Sequence, residues 1–295
     1  MKTLYIIGNG FDLVHELPTR YQDFGEWLRQ SKYTKASYFA DTIDGLFVKK
    51  ISLWRNFEEA LGNIDVEEYI KSLKEDYIDT QDPENFGRQA ESFYAGIEHI
   101  NKEHYEDLIE AFRAWARSIE TNGVEPIYGN LNNADNYFFT FNYTDTLEQV
   151  YGVDPKHVMH IHGDASDERS LIEVGHKHDY IDQEKLIEQL LDKFVPFDLG
   201  DSRDSLIEML NLSIKHVDDI ISRNGEYFNN LHRLGIDKII VQGHGYGEID
   251  WAYFEKIKDV CPNAQWELRW HTPYDLESAN IINKRLTLSA TTAQI

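Results

Sequence analysis

The segment Tyr5–Pro18, YIIGNGFDLVHELP, determines the fold class that we expect for this chain. It begins within the short apolar run Leu4–Ile7, which is typical of a strand buried on both faces of a parallel sheet. The run ends in the turn Gly8, Asn9 and Gly10, where glycines allow a close approach of the backbone to a ligand. A strand, a glycine turn and a helix together form a common phosphate-binding unit.

This turn does not complete the dinucleotide fingerprint Gly-x-Gly-x-x-Gly, because Leu13 stands at the third glycine position. A plain turn between a strand and a helix therefore remains an alternative. Asp12 has its own plain interpretation, since a carboxylate in the first turn of a helix is favoured by the helix dipole.

Four further segments predict buried strands, namely Tyr137–Phe141, His157–Ile161, Lys238–Gln242 and Gln265–Trp270. The first three run into polar or glycine-rich turns that contain Asn142, His162 with Gly163, and Gly243 with Gly245. Ligands of open α/β sheets bind outside the carboxyl ends of the strands. We therefore predict a Rossmann-like α/β fold with a mostly parallel sheet and a ligand site at this edge. Each residue also has a simpler interpretation, as a helix cap, an ordinary histidine or a turn.

The spacing of apolar residues between the strands predicts helices at about residues 25–125 and 183–233. We interpret these as helical insertions in a single domain that spans residues 1–295.

The composition excludes several classes of protein. Hydrophobic residues make up 41% and aromatic residues 13%, which is sufficient for a large core. With 29 Lys and Arg against 52 Asp and Glu, the net charge is −23, so we do not expect nucleic-acid binding. Cys261 is the only cysteine, which excludes an intramolecular disulfide and a multi-cysteine metal site. Neither a long apolar run nor a signal peptide is apparent, so we expect a cytoplasmic protein without a membrane segment.

Taken in order, four sequence blocks resemble the bacteriophage abortive infection AbiH family. They are Tyr5–Phe24 (YIIGNGFDLVHELPTRYQDF), Phe138–Gly152 (FFTFNYTDTLEQVYG), Val158–Asp164 (VMHIHGD) and Val241–Phe254 (VQGHGYGEIDWAYF). The helical segment Trp54–Leu61 is also similar to the family pattern. The resemblance implies antiphage defence in which infected cells stop growing or die. It is compatible with activation by a phage-derived trigger and with assembly into a homo-oligomer.

The same blocks resemble, more distantly, sirtuin-like domains that cleave NAD. Gly8 and Gly10 match the first turn of those domains, His162 and Gly163 match the catalytic pair, and Thr140, Asn142 and Glu148 match the segment between them. The resemblance implies NAD as ligand or substrate.

Departures from the sirtuin pattern limit what this resemblance implies. Asp12 replaces a serine, Phe141 replaces a glutamine, and Thr144 replaces the aspartate that contacts the nicotinamide carboxamide. The four-cysteine zinc ribbon is missing as well, so we do not expect protein deacetylation.

Our leading hypothesis is hydrolysis of NAD+ to nicotinamide and ADP-ribose. His162 would act as the base, Asn142 would orient the ribose or the attacking water, and Asp12 or Glu148 would stabilise the developing positive charge. The residues expected to bind the nucleotide are Gly8, Asn9, Gly10, Phe11, Thr140, Tyr143, Thr144, Gly163, Gly243, His244 and Gly245.

Two other functions remain open at this stage. The first is a nucleotide-binding sensor or switch without turnover, which the replacement at Thr144 favours. The second is a metal-dependent hydrolase or nuclease, for which the available ligands are His160, His162, Asp164, His176, His178 and Asp179.

Overall fold

The computed structural model describes residues 1–42, 44, 54, 57–79, 81–95, 101–176, 184–194, 204, 207, 211 and 214–295. The chain divides into two compact units. The first comprises Met1–Arg20, Ala116–Glu173 and His216–Ile295, and the second comprises Tyr21–Trp115 and Val174–Lys215. Each unit is therefore assembled from segments that are far apart in the sequence.

The first unit contains a six-stranded sheet in the order β3-β2-β1-β4-β5-β6, in which all neighbouring strands are parallel. The strands are β1 Thr3–Ile7, β2 Asn136–Thr140, β3 Val158–His160, β4 Lys238–Gln242, β5 Gln265–Trp270 and β6 Thr291–Gln294. The predicted α/β fold and the five predicted strands are confirmed, and β6 is an additional strand.

Both faces of this sheet are covered, which explains why β1 is apolar at successive positions. Leu4 and Ile6 belong to one core cluster, whereas Ile7 belongs to another with Phe11 and Phe138. Successive side chains of a strand point to opposite faces, so each cluster fills one side of the sheet. The helices of this unit are Gly10–Val14, Thr146–Tyr151, Val217–Arg223, Gly225–Leu234, Trp251–Val260 and Pro273–Leu286.

The second unit is helical throughout most of its described residues. Its helices are Tyr21–Gln30, Thr34–Thr42, Phe57–Leu61, Val66–Tyr77, Phe86–Ala95, most of Asn101–Arg117, and Glu184–Phe194. Its core is aromatic, with the ring of Phe24 in contact with the rings of Trp54, Phe57, Phe112 and Trp115. Across the described parts of both units, no helix has the length and apolar character needed to cross a bilayer.

Candidate functional site

The glycine turns that follow β1 and β4 pack directly against each other. The N–H of Gly8 donates to the carbonyl of Gln242 at 3.0 Å, and that of Gly10 donates to the carbonyl of Gly243 at 2.7 Å. Gly243 has a φ of +69°, and a Cβ atom at this position would lie 2.3 Å from the backbone nitrogen of Phe11. Glycine is thus needed for contact between the two turns, and a phosphate here would need donors other than these two N–H groups.

Asp12 is a buried carboxylate beside these turns, with 1% of its surface exposed. The Thr144 hydroxyl donates to its Oδ2 at 2.5 Å, whereas Oδ1 has no hydrogen-bond partner among the described residues. Burial raises the pKa of Asp12, and the hydrogen bond from Thr144 offsets only part of that rise. Thr144 is therefore a direct partner of Asp12.

Asn142 follows β2 and is held through its backbone. Its N–H donates to the Thr140 hydroxyl at 3.0 Å, and its carbonyl accepts a hydrogen bond from His160 Nδ1 at 3.0 Å. The side chain is buried, and within the part of the chain that the structure describes, its Oδ1 accepts no hydrogen bond. Asp12 and Asn142 therefore each have an acceptor oxygen without a partner among the described residues, beyond the ends of the adjacent strands β1 and β2.

His160 and Glu148 form a partly buried ion pair at the end of β3. His160 Nε2 lies 3.1 Å from Glu148 Oε1, so both ring nitrogens of His160 face acceptors, an arrangement that favours the doubly protonated ring. Burial alone would lower the pKa of His160, but the hydrogen bond and the charge of Glu148 raise it above its ordinary value. His160 is thus engaged by a carboxylate and a carbonyl.

His162 lies in an aromatic environment and is 4% exposed. Its Nε2 is 3.3 Å from the hydroxyl of Tyr253. Its ring contacts those of Phe141 and Tyr143, the two residues that flank Asn142 in the sequence. The structure therefore brings His162 and Asn142 to the same edge of the sheet. The described hydrogen bonds of Asp12 and His162 are made to different residues, Thr144 and Tyr253.

Several other predicted nucleotide-binding residues have structural partners. The side-chain amide of Asn9 donates to the carbonyl of Thr19 at 2.9 Å. Phe11 is 1% exposed, and its ring contacts His15, Tyr128 and Tyr151.

His244 and Tyr143 are also engaged within the first unit. His244 Nδ1 accepts the N–H of Tyr246 at 2.8 Å, so its Nε2 carries the proton and donates to Asp250 at 3.2 Å. The hydroxyl of Tyr143 donates to the carbonyl of Glu173 at 3.1 Å. Gly163 has a φ of +96°, and Gly245 is exposed.

Gln242 and Arg269 also lie at this edge, and neither is among the site residues predicted from the sequence. Gln242 is 2% exposed, and its side-chain oxygen accepts a hydrogen bond from Arg269 Nη1 at 2.7 Å. The sequence did carry a signal, since Gln242 is a polar residue that ends the otherwise apolar run Ile239–Val241 of a buried strand.

The residues named for the metal-dependent alternative do not come together in the described part of the chain. No group of three or more His, Cys, Asp or Glu residues there has the arrangement of a metal site. His176 belongs to the second unit, whereas His178 and Asp179 lie outside the described residues.

The strand order places β4 on the opposite side of β1 from β2, so the chain adds its strands in one direction from β1 to β3 and in the other from β4 to β6, while all strands stay parallel. This is the order of a Rossmann-type α/β protein, in which the ligand crevice lies at the reversal point. The family model described as bacteriophage abortive infection AbiH matches residues 4–270 of the chain. The chain therefore belongs to the AbiH family and has a role in phage abortive infection. Comparisons with curated proteins and with solved structures gave no match.

Proposed function

We propose that this protein binds NAD+ at the carboxyl edge of β1, β2, β3 and β4 and hydrolyses the bond between nicotinamide and ribose. The observation that carries the proposal is the pair of buried acceptor oxygens, Asp12 Oδ1 and Asn142 Oδ1, that lack partners among the described residues. A buried polar atom without a hydrogen bond costs about 1–3 kcal/mol. Such atoms are typically satisfied by a water, an ion or a ligand.

Two acceptor oxygens favour a ligand that offers hydroxyl donors and develops positive charge. A ribose meets both requirements, because its hydroxyl groups donate hydrogen bonds and its ring becomes positive as the glycosidic bond breaks. Asp12 fits the role of stabilising that charge better than Glu148, because Glu148 already faces the positive charge of His160. A cationic ligand would also favour the ionised form of Asp12 against the effect of burial.

The hydrolytic step requires one proton acceptor. The water oxygen bonds to the ribose C1′ as the bond from C1′ to the pyridinium nitrogen breaks, and the bonding electron pair leaves with neutral nicotinamide. The proton of the water passes to the imidazole of His162, which Tyr253 orients through its hydroxyl. Asn142 holds the ribose hydroxyl or the water, and its backbone is fixed by Thr140 and His160.

The test compares the wild type with His162→Ala and Asn142→Ala. The control is His271→Ala, which changes an exposed histidine that is far from His162 in the sequence. Nicotinamide release and NAD+ affinity are measured on purified protein, and NAD+ content is followed in infected cells. We expect His162→Ala to lose roughly two to four orders of magnitude in release, the usual effect of removing a general base, while retaining affinity.

Unchanged release in His162→Ala would exclude this mechanism. Tight NAD+ binding without release by any variant, in cells as well as in purified protein, would instead identify a nucleotide-binding sensor.

A further inference from the structure

Gln242 occupies the reversal point of the sheet. It is the last residue of β4 and pairs in register with Ile7, the last residue of β1. Its backbone carbonyl accepts the N–H of Gly8, so its main chain is fixed against the turn after β1. The side chain is 2% exposed, which makes its hydrogen bonding energetically important.

Arg269 determines the orientation of the side-chain amide of Gln242. A guanidinium group only donates hydrogen bonds, so the atom 2.7 Å from Arg269 Nη1 must be the Gln242 oxygen. Arg269 is in turn held by Glu267, which accepts from its Nε at 2.7 Å. The NH₂ group of Gln242 therefore faces away from Arg269, and no described residue accepts a hydrogen bond from it.

We propose that Gln242 is a ligand-binding residue whose NH₂ group donates to an acceptor oxygen of the nucleotide, and that Arg269 is its positioning residue. This inference rests on the nucleotide site proposed above. Within the described part of the chain, the edge then offers acceptors without partners after β1 and β2, from Asp12 and Asn142, and a donor without a partner at the end of β4. A nucleotide matches that pattern, because its ribose hydroxyls donate while its phosphate or carboxamide oxygens accept.

The test measures affinities for NAD+ and for ADP-ribose by calorimetry, using the full chain with His162→Ala so that NAD+ is not consumed. Gln242→Leu removes the donor at similar volume, and Gln242→Glu replaces it with an acceptor. We expect Gln242→Leu to weaken binding about tenfold and Gln242→Glu to weaken it further, with melting temperatures confirming that the variants fold. Loss of affinity for both probes assigns the bond to a phosphate oxygen, whereas loss for NAD+ alone assigns it to the carboxamide oxygen.

Arg269 is tested by rescue. Arg269→Leu should weaken binding as Gln242→Leu does, because the amide loses its fixed orientation, and Arg269→Lys should restore part of the affinity by donating to the same oxygen. If the protein with His162→Ala alone binds NAD+, and adding Gln242→Leu leaves its affinity for both probes unchanged, the inference about Gln242 is wrong and the proposed function stands. If the protein with His162→Ala alone binds neither probe, both proposals are wrong.

Discussion

His160 joins Glu148 to the backbone of Asn142, donating from Nε2 to the carboxylate at 3.1 Å and from Nδ1 to the carbonyl at 3.0 Å. The side chains of His160 and Glu148 are 9% and 13% exposed, so this charged pair is largely removed from water. Breaking a buried pair by removing one partner is strongly destabilising, because the other charge is left uncompensated. The pair therefore couples the position of the Asn142 backbone to the protonation state of His160.

The stability of the protein should depend on the protonation of His160. The pKa of His160 is raised in the fold by Glu148, with Asp164 acting in the same direction. Its stabilising contribution is therefore complete below the unfolded value of about 6.5 and is lost as the pH rises through the higher folded pKa.

Glu148→Gln should weaken this dependence, since burial then acts on His160 with only the smaller effects of the Asn142 carbonyl and the Asp164 charge opposing it. Urea unfolding midpoints measured at a series of pH values above 6 should fall more steeply for the wild type than for the variant. Parallel curves for the two proteins would contradict a charged His160.

Asp12→Asn should stabilise the fold, and under the proposed function it should also remove NAD+ cleavage. The pKa of Asp12 is raised by burial, so the ionised carboxylate is less favourable in the folded state than in the unfolded state. Asparagine has no charge and keeps an oxygen that can accept from Thr144. We expect a gain of about 1 kcal/mol at neutral pH, or roughly 2–4 °C in melting temperature.

This gain should shrink as the pH falls towards the unfolded pKa of aspartate, about 3.9, because wild-type Asp12 then becomes neutral as well. Asp259→Asn is the matched control, since Asp259 is exposed on the helix Trp251–Val260. A loss of stability in Asp12→Asn at neutral pH would show that the carboxylate is held by more than the described contacts.

The stability of the fold should depend on the hydroxyl group of Thr144 rather than on its methyl group. Thr144→Val removes the donor to Asp12 Oδ2 and leaves that oxygen buried, which we expect to cost about 1–3 kcal/mol. Thr144→Ser keeps the hydroxyl and should retain most of the stability. Equal unfolding midpoints for the two variants would show that packing, not the hydrogen bond, determines the effect.

The sequence predicted the central strands because their burial on both faces leaves a continuous apolar run. It did not reveal β6, because Thr291–Gln294 is polar and three of its four residues are exposed. A short edge strand of this kind is specified by its neighbour β5 rather than by its own pattern.

The candidate site was predictable to the extent that it depends on strand ends. Asp12 and Asn142 are predictable because they follow strands of a parallel sheet. The contact of Gly8 and Gly10 with Gly243 could not be seen, since a glycine turn looks the same whether it faces a ligand or another turn. The pair formed by Glu148 and His160 likewise depends on how the helix Thr146–Tyr151 lies against β3.

Gly163 and Gly235 provide a matched pair for separating backbone strain from steric conflict. Both have a positive φ, +96° at Gly163 and +63° at Gly235. A Cβ atom at Gly163 would lie 2.0 Å from the carbonyl oxygen of Leu171, whereas one at Gly235 would meet no atom within 4 Å. Alanine at Gly235 should therefore cost only the strain of the left-handed conformation, about 1–2 kcal/mol.

Alanine at Gly163 should also displace the segment that contains Leu171, for a total cost of about 2–5 kcal/mol. That segment is bonded to the site, because the N–H of Glu173 donates to the carbonyl of His162 at 2.9 Å and the carbonyl of Glu173 accepts from Tyr143. Gly163→Ala should thus accelerate hydrogen exchange at the Glu173 amide and lower the urea midpoint well below that of Gly235→Ala. If the two variants unfold at the same midpoint and the Glu173 amide stays protected, the loop beyond His162 adapts to a side chain at Gly163 and does not hold the histidine in place.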